Sequence, residues 1–312
     1  MSPELLPYND YGGAIRRRLG GRVQKLAIDA GLGCPNRDGT IARGGCTFCC
    51  SEAFSPSYCR EAGSITEQLD RALTFHHNRG RTSNIYLAYF QAGTNTHAPI
   101  ETLERLYLEA LSHPQISGIV IGTRPDCINS EIFQLLTHLR QHYYVAVEYG
   151  IESVYDATLR CVNRGHTFAD AIDAVAHTRA LGIDVGAHFI LGLPNESYND
   201  IIEGIGLIND LRLNSIKFHQ LQIYRNTPIA YQWRERPDAF LFGQTDATER
   251  YISLLVDIIR RLHPETAIER LTSEAPRDML LHSPFGGIRP DIIRNEVVRR
   301  MATEGYTQGD ML

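Results

Sequence analysis

The most informative segment of this chain is Cys34-Pro-Asn-Arg-Asp-Gly-Thr-Ile-Ala-Arg-Gly-Gly-Cys46-Thr-Phe-Cys49. It places three cysteines in one glycine-rich stretch and puts an aromatic residue, Phe48, inside the closing Cys-x-x-Cys pair. Three thiolates are one ligand short of a closed tetrahedral zinc site and of a four-cysteine iron–sulfur cluster. Because a metal held by three protein ligands keeps a position open, we predict a metal centre that binds a further molecule at the metal.

The bulk composition is that of an ordinary globular protein. The 312 residues are 43% hydrophobic and 21% charged, which is enough for a sizeable core in one large domain or two smaller ones. The net charge of −5 excludes a basic field over the whole protein, so nucleic-acid binding would depend on local patches. Two such patches, each equally well explained as a solvated helix face, are Arg16, Arg17, Arg18, Arg22 and Lys25, and Arg294, Arg299 and Arg300.

The cysteines and the N-terminal residues indicate the compartment. The first ten residues have no basic stretch followed by an apolar run, and no apolar run approaches the roughly 20 residues of a membrane span. We therefore expect a soluble, cytoplasmic protein with no membrane partner. In that reducing compartment cysteines favour metal binding or catalysis over disulfides. Five of the seven cysteines fall within 26 residues, whereas Cys127 and Cys161 are expected to be core cysteines.

Apolar strand patterns and helical patterns alternate along the chain. The predicted strands cover residues 22–29, 84–91, 118–122, 144–148, 183–191 and 215–223. The predicted helices between them cover residues 64–79, 99–111, 130–142, 156–162, 167–180 and 197–211. Such alternation requires a parallel sheet with right-handed crossovers. Six units are too few for a closed eight-stranded barrel, so the pattern leaves an open doubly wound sheet or a partial barrel.

Beyond residue 224 the alternation weakens. Helices are predicted at 245–262 and 292–301, as a C-terminal extension packed on the barrel. This divides the chain into residues 1–235 and 236–312. Polar, glycine-containing segments follow the strands at 91–96, 122–126, 148–153, 192–194 and 219–224. Because ligands bind at the carboxyl ends of parallel strands, these segments should meet the cysteine loop in one site.

Three interpretations of the cysteines remain open at this point. Soft thiolates select iron–sulfur clusters or zinc, and a [4Fe–4S] cluster on Cys34, Cys46 and Cys49 would leave one iron free. Zinc with three thiolates and water is the chemical rival, with His76 or His77 as fourth ligand by nearness. Zinc ribbons use two Cys-x-x-Cys pairs, and this sequence has no second pair. Plain buried cysteines are the third interpretation.

Three cysteines after the first strand, a Cys-x-aromatic-Cys ending and six βα units resemble the radical S-adenosylmethionine (SAM) superfamily. The usual first spacing there is three residues, but eleven separate Cys34 from Cys46, which resembles the bacterial YhcC/YtqA family. Further motifs that carry this resemblance are Tyr-Phe-Gln-Ala-Gly-Thr-Asn-Thr at 89–96, Gly-Thr-Arg-Pro-Asp at 122–126, Asn-Arg-Gly-His at 163–166 and His-Phe-Ile-Leu-Gly-Leu-Pro at 188–194. Residues 152–167 also resemble the radical SAM domain of the Elongator catalytic subunit, which modifies wobble uridine in tRNA.

The resemblance implies a fold and an activity. The fold is an α/β partial (βα)6 TIM-like barrel of the radical SAM type with a C-terminal helical extension. The activity is reductive cleavage of SAM at a [4Fe–4S] cluster to a 5′-deoxyadenosyl radical, for tRNA modification at wobble uridine. The implied partners are SAM, an electron donor such as flavodoxin or ferredoxin, and tRNA. Two alternatives stay open: radical SAM chemistry on a small metabolite or a protein, and a non-catalytic zinc or iron–sulfur binding module.

The resemblance also implies site residues. Cys34, Cys46 and Cys49 match the cluster ligands, and Phe48 matches the aromatic that packs near the adenine. The SAM contacts it implies are Gly93, Thr94 and Asn95 at the methionyl amine and Glu148 at the ribose or the amine. It also implies Arg160 or Arg164 at the carboxylate, and the Asn-Arg-Gly-His motif favours Arg164. Glu148 is alternatively a structural ion pair. Less specific candidates are the Arg124–Asp126 pair and the histidines His166, His188 and His219.

Overall fold

A seven-stranded parallel sheet organises the chain. The computed structural model describes residues 6–53, 55–60, 62–243 and 246–312. The strands are β1 (Val23–Ile28), β2 (Ile85–Phe90), β3 (Ile116–Thr123), β4 (Tyr144–Glu152), β5 (Asp184–Leu191), β6 (Ser215–Gln220), β7 (Ile223–Tyr224), β8 (Ala267–Arg270) and β9 (Leu280–His282). The sheet has the order β1-β2-β3-β4-β5-β6-β8, with all neighbours parallel, whereas β7 and β9 form a separate antiparallel pair.

The sheet curls like part of a barrel. Its edge strands β1 and β8 are six positions apart in the strand order, yet Lys25 Nζ on β1 lies 2.6 Å from Glu269 Oε2 on β8. Side chains of opposite edges can meet only if the sheet bends round on itself, as β-sheets do through their twist. The open, doubly wound alternative is therefore wrong, and the partial TIM-like barrel is confirmed.

Helices cover the outer face of the sheet. They are α1 (Tyr11–Leu19), α2 (Pro35–Asp38), α3 (Ile65–His77), α4 (Ile100–Leu111), α5 (Ser130–Arg140), α6 (Asp156–Cys161), α7 (Phe168–Ala180), α8 (Tyr198–Asp210), α9 (Pro228–Glu235), α10 (Ala247–Arg261) and α11 (Pro290–Glu304). Side-chain caps fix several starts: Ser64 caps α3, and Thr167 and Ser197 form capping boxes at α7 and α8. In the part of the chain described, no helix is both long and apolar enough to cross a bilayer.

Two apolar layers hold these elements together. The larger lies between sheet and helices, where Leu26 and Ile28 of β1 are fully buried. The smaller lies inside the barrel around Leu87, Val120 and Ala146, and it is the layer against which Leu19 of α1 packs. Successive residues of a strand face opposite sides of a sheet, so alternate positions of β1 serve the helix layer and the barrel interior.

The six predicted strands and the helices between them are confirmed, but some elements were missed. β8 is only four residues long, and α1 contains Gly12 and Gly13, which weaken a helical pattern. The strand predicted at 215–223 ends at Gln220, and its last residue belongs to β7. The helix predicted from Thr245 begins at Ala247 in the structure, and Thr245 lies outside the described residues. The division of the chain after residue 235 stays a prediction.

Candidate active site

A cavity of about 510 Å³ opens at the carboxyl ends of the barrel strands. Eight of the ten residues predicted to bind the metal or SAM line it: Cys34, Cys46, Phe48, Cys49, Gly93, Thr94, Glu148 and Arg164. Asn95 and Arg160 do not line it. The structure therefore brings residues from the first, second and fourth strand ends together, as the strand-end argument requires.

Backbone hydrogen bonds hold the cysteine loop in place. The loop follows β1, and its first cysteine, Cys34, precedes the short helix α2. Farther along, the amide of Thr47 donates to the carbonyl oxygen of Val162 at 2.9 Å, and the amide of Ile229 donates to that of Thr47 at 3.1 Å. The Cys46–Cys49 turn is thus tied to the end of α6 and to the start of α9.

The sulfur of Cys46 receives two N–H donors. Asn36 Nδ2 lies 3.5 Å from Cys46 Sγ, and Arg164 Nη1 lies 3.6 Å from it. Donors aimed at a buried sulfur suit a thiolate that ligates a metal, because hydrogen bonds to such sulfurs stabilise their negative charge. Burial raises the pKa of the neighbouring Cys49 thiol to about 11, with Cys46 adding to the shift. A coordinated cation would offset that cost.

The three cysteine thiols line one cavity without meeting at a point. No three His, Cys, Asp or Glu side chains within the described ranges lie close enough to share a single metal ion. A tetrahedral zinc site needs each thiolate sulfur at about 2.3 Å from one ion. The donor set present is therefore three soft sulfurs spread along a cavity wall.

Gly93 lets the loops after β1 and β2 pack against each other. Its φ is +80°, and a Cβ atom there would lie 2.2 Å from the carbonyl oxygen of Leu32. Next to it, the amide of Thr94 donates to the carbonyl oxygen of Gly33 at 3.0 Å. Only glycine fits such a close approach at positive φ. Gly93 thereby fixes the position of the residue that precedes Cys34.

Asn95 is buried between two strand ends instead of facing the cavity. Its Nδ2 donates to the carbonyl oxygens of Phe90 at 3.0 Å and Gly122 at 2.8 Å. A side-chain amide that bridges the ends of β2 and β3 satisfies backbone groups that the sheet leaves unpaired. The structure thus gives Asn95 a structural task and places its side chain away from the predicted SAM contacts.

Of the two arginines predicted to bind the carboxylate of SAM, Arg164 lines the cavity and Arg160 does not. Besides Cys46, the guanidinium of Arg164 contacts the carbonyl oxygen of Gly150 at 2.6 Å and Glu152 Oε1 at 3.4 Å. Arg160 is exposed on α6. Glu152 itself has φ 71° at a register shift near the end of β4, an unusual backbone conformation for a non-glycine residue. Strain of this kind is concentrated at functional sites.

Arg124 and Asp126, which are a candidate pair in the sequence, form an ion pair. Arg124 Nε and Nη2 donate to the two carboxylate oxygens of Asp126 at 2.9 and 2.7 Å. Although burial alone would raise it, this bidentate contact lowers the pKa of Asp126. Arg124 also lines the cavity, and its Nη1 is buried without a partner among the described residues.

A buried ion network forms the floor of the cavity. Glu148 is 3% exposed, and its carboxylate lies 2.5 Å from Lys25 Nζ and 2.5 Å from Lys217 Nζ. Glu269 lies 2.6 Å from Lys25 and 3.2 Å from Lys217, which balances the charges. Although burial alone would raise it, the two ammonium groups hold the pKa of Glu148 well below its usual range. Both oxygens of Glu148 are therefore occupied within the protein.

Two histidines extend this network into the cavity. His188 Nε2 lies 2.9 Å from Glu148 Oε2, and His219 Nε2 lies 3.3 Å from His188 Nδ1. Burial lowers the pKa of both imidazoles, that of His219 well below its usual range. Both histidines line the cavity. His166 instead lies behind Arg164, with Arg164 Nε 3.0 Å from its Nε2.

The structure changes the interpretation of both basic patches. Lys25 does not belong to a surface patch, because it occupies an inward-facing strand position inside the barrel. Arg299 and Arg300 pair with Glu296 and Glu249, and Arg294 contacts Tyr8. Arg16, Arg17 and Arg18 stay exposed on α1, but Arg18 pairs with Asp184 at the start of β5. That patch therefore lies at the end of the barrel opposite the cavity.

Sequence reasoning gave a structural ion pair as the alternative role of Glu148, and the structure shows that pairing, but the partners of Glu148 were missed. Lys25 and Lys217 are charged residues within strands that are otherwise buried, and Lys217 and His219 are two positions apart, which puts them on one face of β6. A charge in the middle of a buried strand is the signal that would have found them. Glu269 carried no such signal because β8 was not predicted.

The chain is similar to known proteins along most of its length. Residues 31–208 match the Radical SAM superfamily, and residues 213–301 match the Radical_SAM C-terminal domain. YtqA of Bacillus subtilis (strain 168) is 34% identical over 307 residues, covering 97% of this chain and 92% of YtqA. YhcC of Escherichia coli (strain K12) is 36% identical over 276 residues, covering 88% of this chain and 85% of YhcC.

More distant similarity links the chain to Elongator proteins. Elongator complex protein 3 of Drosophila melanogaster is 26% identical over 231 residues, covering 69% of this chain and 37% of that protein. The solved structure of archaeal Methanocaldococcus infernus Elp3 shares the fold with a TM-score of 0.69 at 15% identity. The alignment covers 92% of this chain but only 64% of that longer chain. With three cysteines lining a cavity at the carboxyl ends of a curled parallel sheet and matches along most of its length, the chain belongs to the radical SAM superfamily.

Proposed function

We propose that Cys34, Cys46 and Cys49 hold a [4Fe–4S] cluster and that the same cavity binds SAM. The observation that carries this proposal is that the three thiols line one cavity, with two N–H donors directed at Cys46 Sγ. Three soft sulfurs and an open position suit an iron–sulfur cluster with one free iron. When bound, the cluster and SAM would supply a 5′-deoxyadenosyl radical by one-electron cleavage of the sulfonium.

The residues of the chain bind and orient these groups. Arg164 places a fixed positive charge beside Cys46, where it offsets thiolate charge and reaches a carboxylate bound in the cavity. Phe48 and the backbone at Gly93 and Thr94 supply cavity walls for the adenine and the methionyl amine. Because both Glu148 oxygens are paired with lysines and His188, we assign Glu148 to support of the cavity floor.

The test is SAM cleavage by the reconstituted protein. Wild-type protein loaded with iron and sulfide under anaerobic conditions should form 5′-deoxyadenosine and methionine from SAM when reduced by dithionite or by flavodoxin. Cys46→Ala should form neither product. Cys161→Ala should match the wild type, because Cys161 is exposed and the expectation that it is a core cysteine is wrong. A wild-type protein that holds its cluster and leaves SAM intact would overturn the proposal.

We further propose that the substrate is tRNA, at a wobble uridine, in the cytoplasm. The sequence similarity to Elongator complex protein 3 and the resemblance of residues 152–167 to its radical SAM domain support this. Three exposed arginines on the cavity side, with no carboxylate partner among the described residues, are available to phosphates: Arg37, Arg43 and Arg225. Phosphate contacts of this kind give affinity that falls with salt.

Mass spectrometry of tRNA nucleosides tests the substrate. A strain that lacks the gene should lose or shift one modified wobble uridine, and the wild-type gene should restore it where a Cys46→Ala gene does not. An unchanged nucleoside profile in the deletion strain would remove the tRNA part of the proposal and leave SAM cleavage untouched.

A further inference from the structure

The Glu148–His188–His219 chain fixes which nitrogen of His219 faces the cavity. Glu148 is ionised between Lys25 and Lys217, so it can only accept a hydrogen bond, and His188 must donate from Nε2. A neutral imidazole that carries its proton on Nε2 leaves Nδ1 as an acceptor. His219 therefore donates from its own Nε2 to His188 Nδ1, and its Nδ1 keeps a lone pair.

That lone pair is open to the cavity. His219 lines the cavity, and its Nδ1 has no hydrogen-bond partner within the described residues. Because Nδ1 is not among the fully buried side-chain atoms without a partner in the described residues, it keeps accessible surface and can be reached from the cavity. Burial and the cations near it keep the imidazole neutral. His219 Nδ1 is thus a preorganised hydrogen-bond acceptor that the protein leaves unused.

The same cavity also contains a hydrogen-bond donor. Arg270 follows Glu269 on β8, lines the same cavity and is close enough to His219 for its charge to affect the imidazole. Its guanidinium has no ion pair among the described residues, and it is exposed at the cavity mouth. An acceptor and a multiple N–H donor that line one cavity complement a chemical group that presents an N–H beside a carbonyl oxygen.

We propose that His219 Nδ1 accepts a hydrogen bond from the imide N3–H of the substrate uracil and that Arg270 donates to an adjacent carbonyl oxygen. This inference rests on the proposed function, since it names how that substrate base is recognised. His188 and Glu148 are positioning residues, because they act on the base only through the tautomer of His219. Selectivity follows because a buried acceptor left unpaired by the wrong base costs binding energy.

The probes are two anticodon stem-loop RNAs, one with uridine and one with N3-methyluridine at the wobble position. Anaerobically reconstituted full-length wild-type protein should bind the methylated RNA about tenfold more weakly, the size of one specific base contact. His219→Gln keeps a polar group at the Nε2 position and removes the acceptor at Nδ1, so it should bind the two RNAs equally. His219→Asn keeps an oxygen near the Nδ1 position and should retain part of the discrimination.

Arg270→Gln is the variant that leaves the buried network intact. Because Arg270 is exposed, this change should leave the folded protein undisturbed, weaken binding of both RNAs by the same factor and preserve their ratio. An unchanged affinity for both RNAs would overturn the assigned role of Arg270. A purely structural role of the histidine stack predicts that Gln, which preserves the contact with His188, behaves better than Asn.

Four results would contradict the proposal. Tenfold discrimination that survives in His219→Gln overturns it directly. The SAM affinity of both His219 variants should stay within about twofold of that of the wild type. If it falls in both variants instead, His219 Nδ1 contacts the adenosyl group of SAM and not the uracil. A wild type that binds neither stem-loop removes the tRNA substrate and this inference with it, whereas binding that N3-methylation does not weaken removes this inference alone.

Discussion

The ion network under the cavity makes a strong stability prediction. Replacing Glu148 with leucine leaves two buried ammonium groups, Lys25 and Lys217, with only Glu269 to balance them. At the observed Glu148–lysine distances one contact is worth roughly 6 kcal/mol at an effective dielectric constant of about 20. The change also removes the desolvation of the Glu148 carboxylate, which costs several kcal/mol. We therefore expect Glu148→Leu to lower the free energy of unfolding by about 3–5 kcal/mol.

A double variant tests whether charge balance is the cause. Glu148→Leu combined with Lys217→Met leaves one buried pair, Lys25 and Glu269 at 2.6 Å, and should recover about 2 kcal/mol or more relative to the sum of the single changes. Urea unfolding of each protein, followed by the fluorescence of Trp233, the single tryptophan, measures these differences. The reasoning is refuted if Glu148→Leu costs less than about 1 kcal/mol or if the two changes simply add.

Two further predictions concern the cysteine loop and a buried acid. Gly93→Ala should destabilise the fold and halve the iron bound after reconstitution, because the added Cβ would meet the carbonyl oxygen of Leu32. The control is Gly31→Ala, at φ +68° with open space around it, which should cost only about 1–2 kcal/mol and keep its iron. Equal effects of the two changes would contradict the packing argument. Burial raises the pKa of Glu196 from 4.5 to about 7. Between these two values the folded chain keeps a proton that the unfolded chain releases, so the free energy of unfolding should decrease as the pH rises from about 5 to about 7. If the free energy of unfolding of Glu196→Gln decreases with pH in the same way, this explanation is wrong.

Local signals made most of the barrel predictable from sequence. Each of the six predicted strands is an apolar run or an alternation of apolar and polar residues, and helices α3, α7 and α8 begin at the caps Ser64, Thr167 and Ser197. These features act within a few residues, so they can be read without knowing the tertiary structure. The strand-end rule predicted correctly that the cysteine loop shares one cavity with the segments 91–96, 122–126, 148–153 and 219–224, but it was wrong for 192–194, which does not line that cavity.

Long-range contacts account for what could not be predicted. β8 has four residues, and it joins the sheet through tertiary pairing with β6 and the Lys25–Glu269 contact across the curled sheet. Lys25 was assigned to a surface patch because its neighbour Arg22 is basic, whereas its strand position turns it inward. Likewise, the contact of Arg164 with Cys46 joins residues 118 positions apart, and it was not predicted, because the resemblance to a family suggested only that Arg164 binds the carboxylate of SAM.

The metal content of the cysteine variants tests the central claim most directly. Iron and acid-labile sulfide should be measured in anaerobically reconstituted wild type, Cys34→Ala and Cys161→Ala. The account predicts about four iron and four sulfide per chain in the wild type and in Cys161→Ala, and loss of the cluster in Cys34→Ala. Zinc without sulfide in the wild type, or a full cluster in Cys34→Ala, would contradict it.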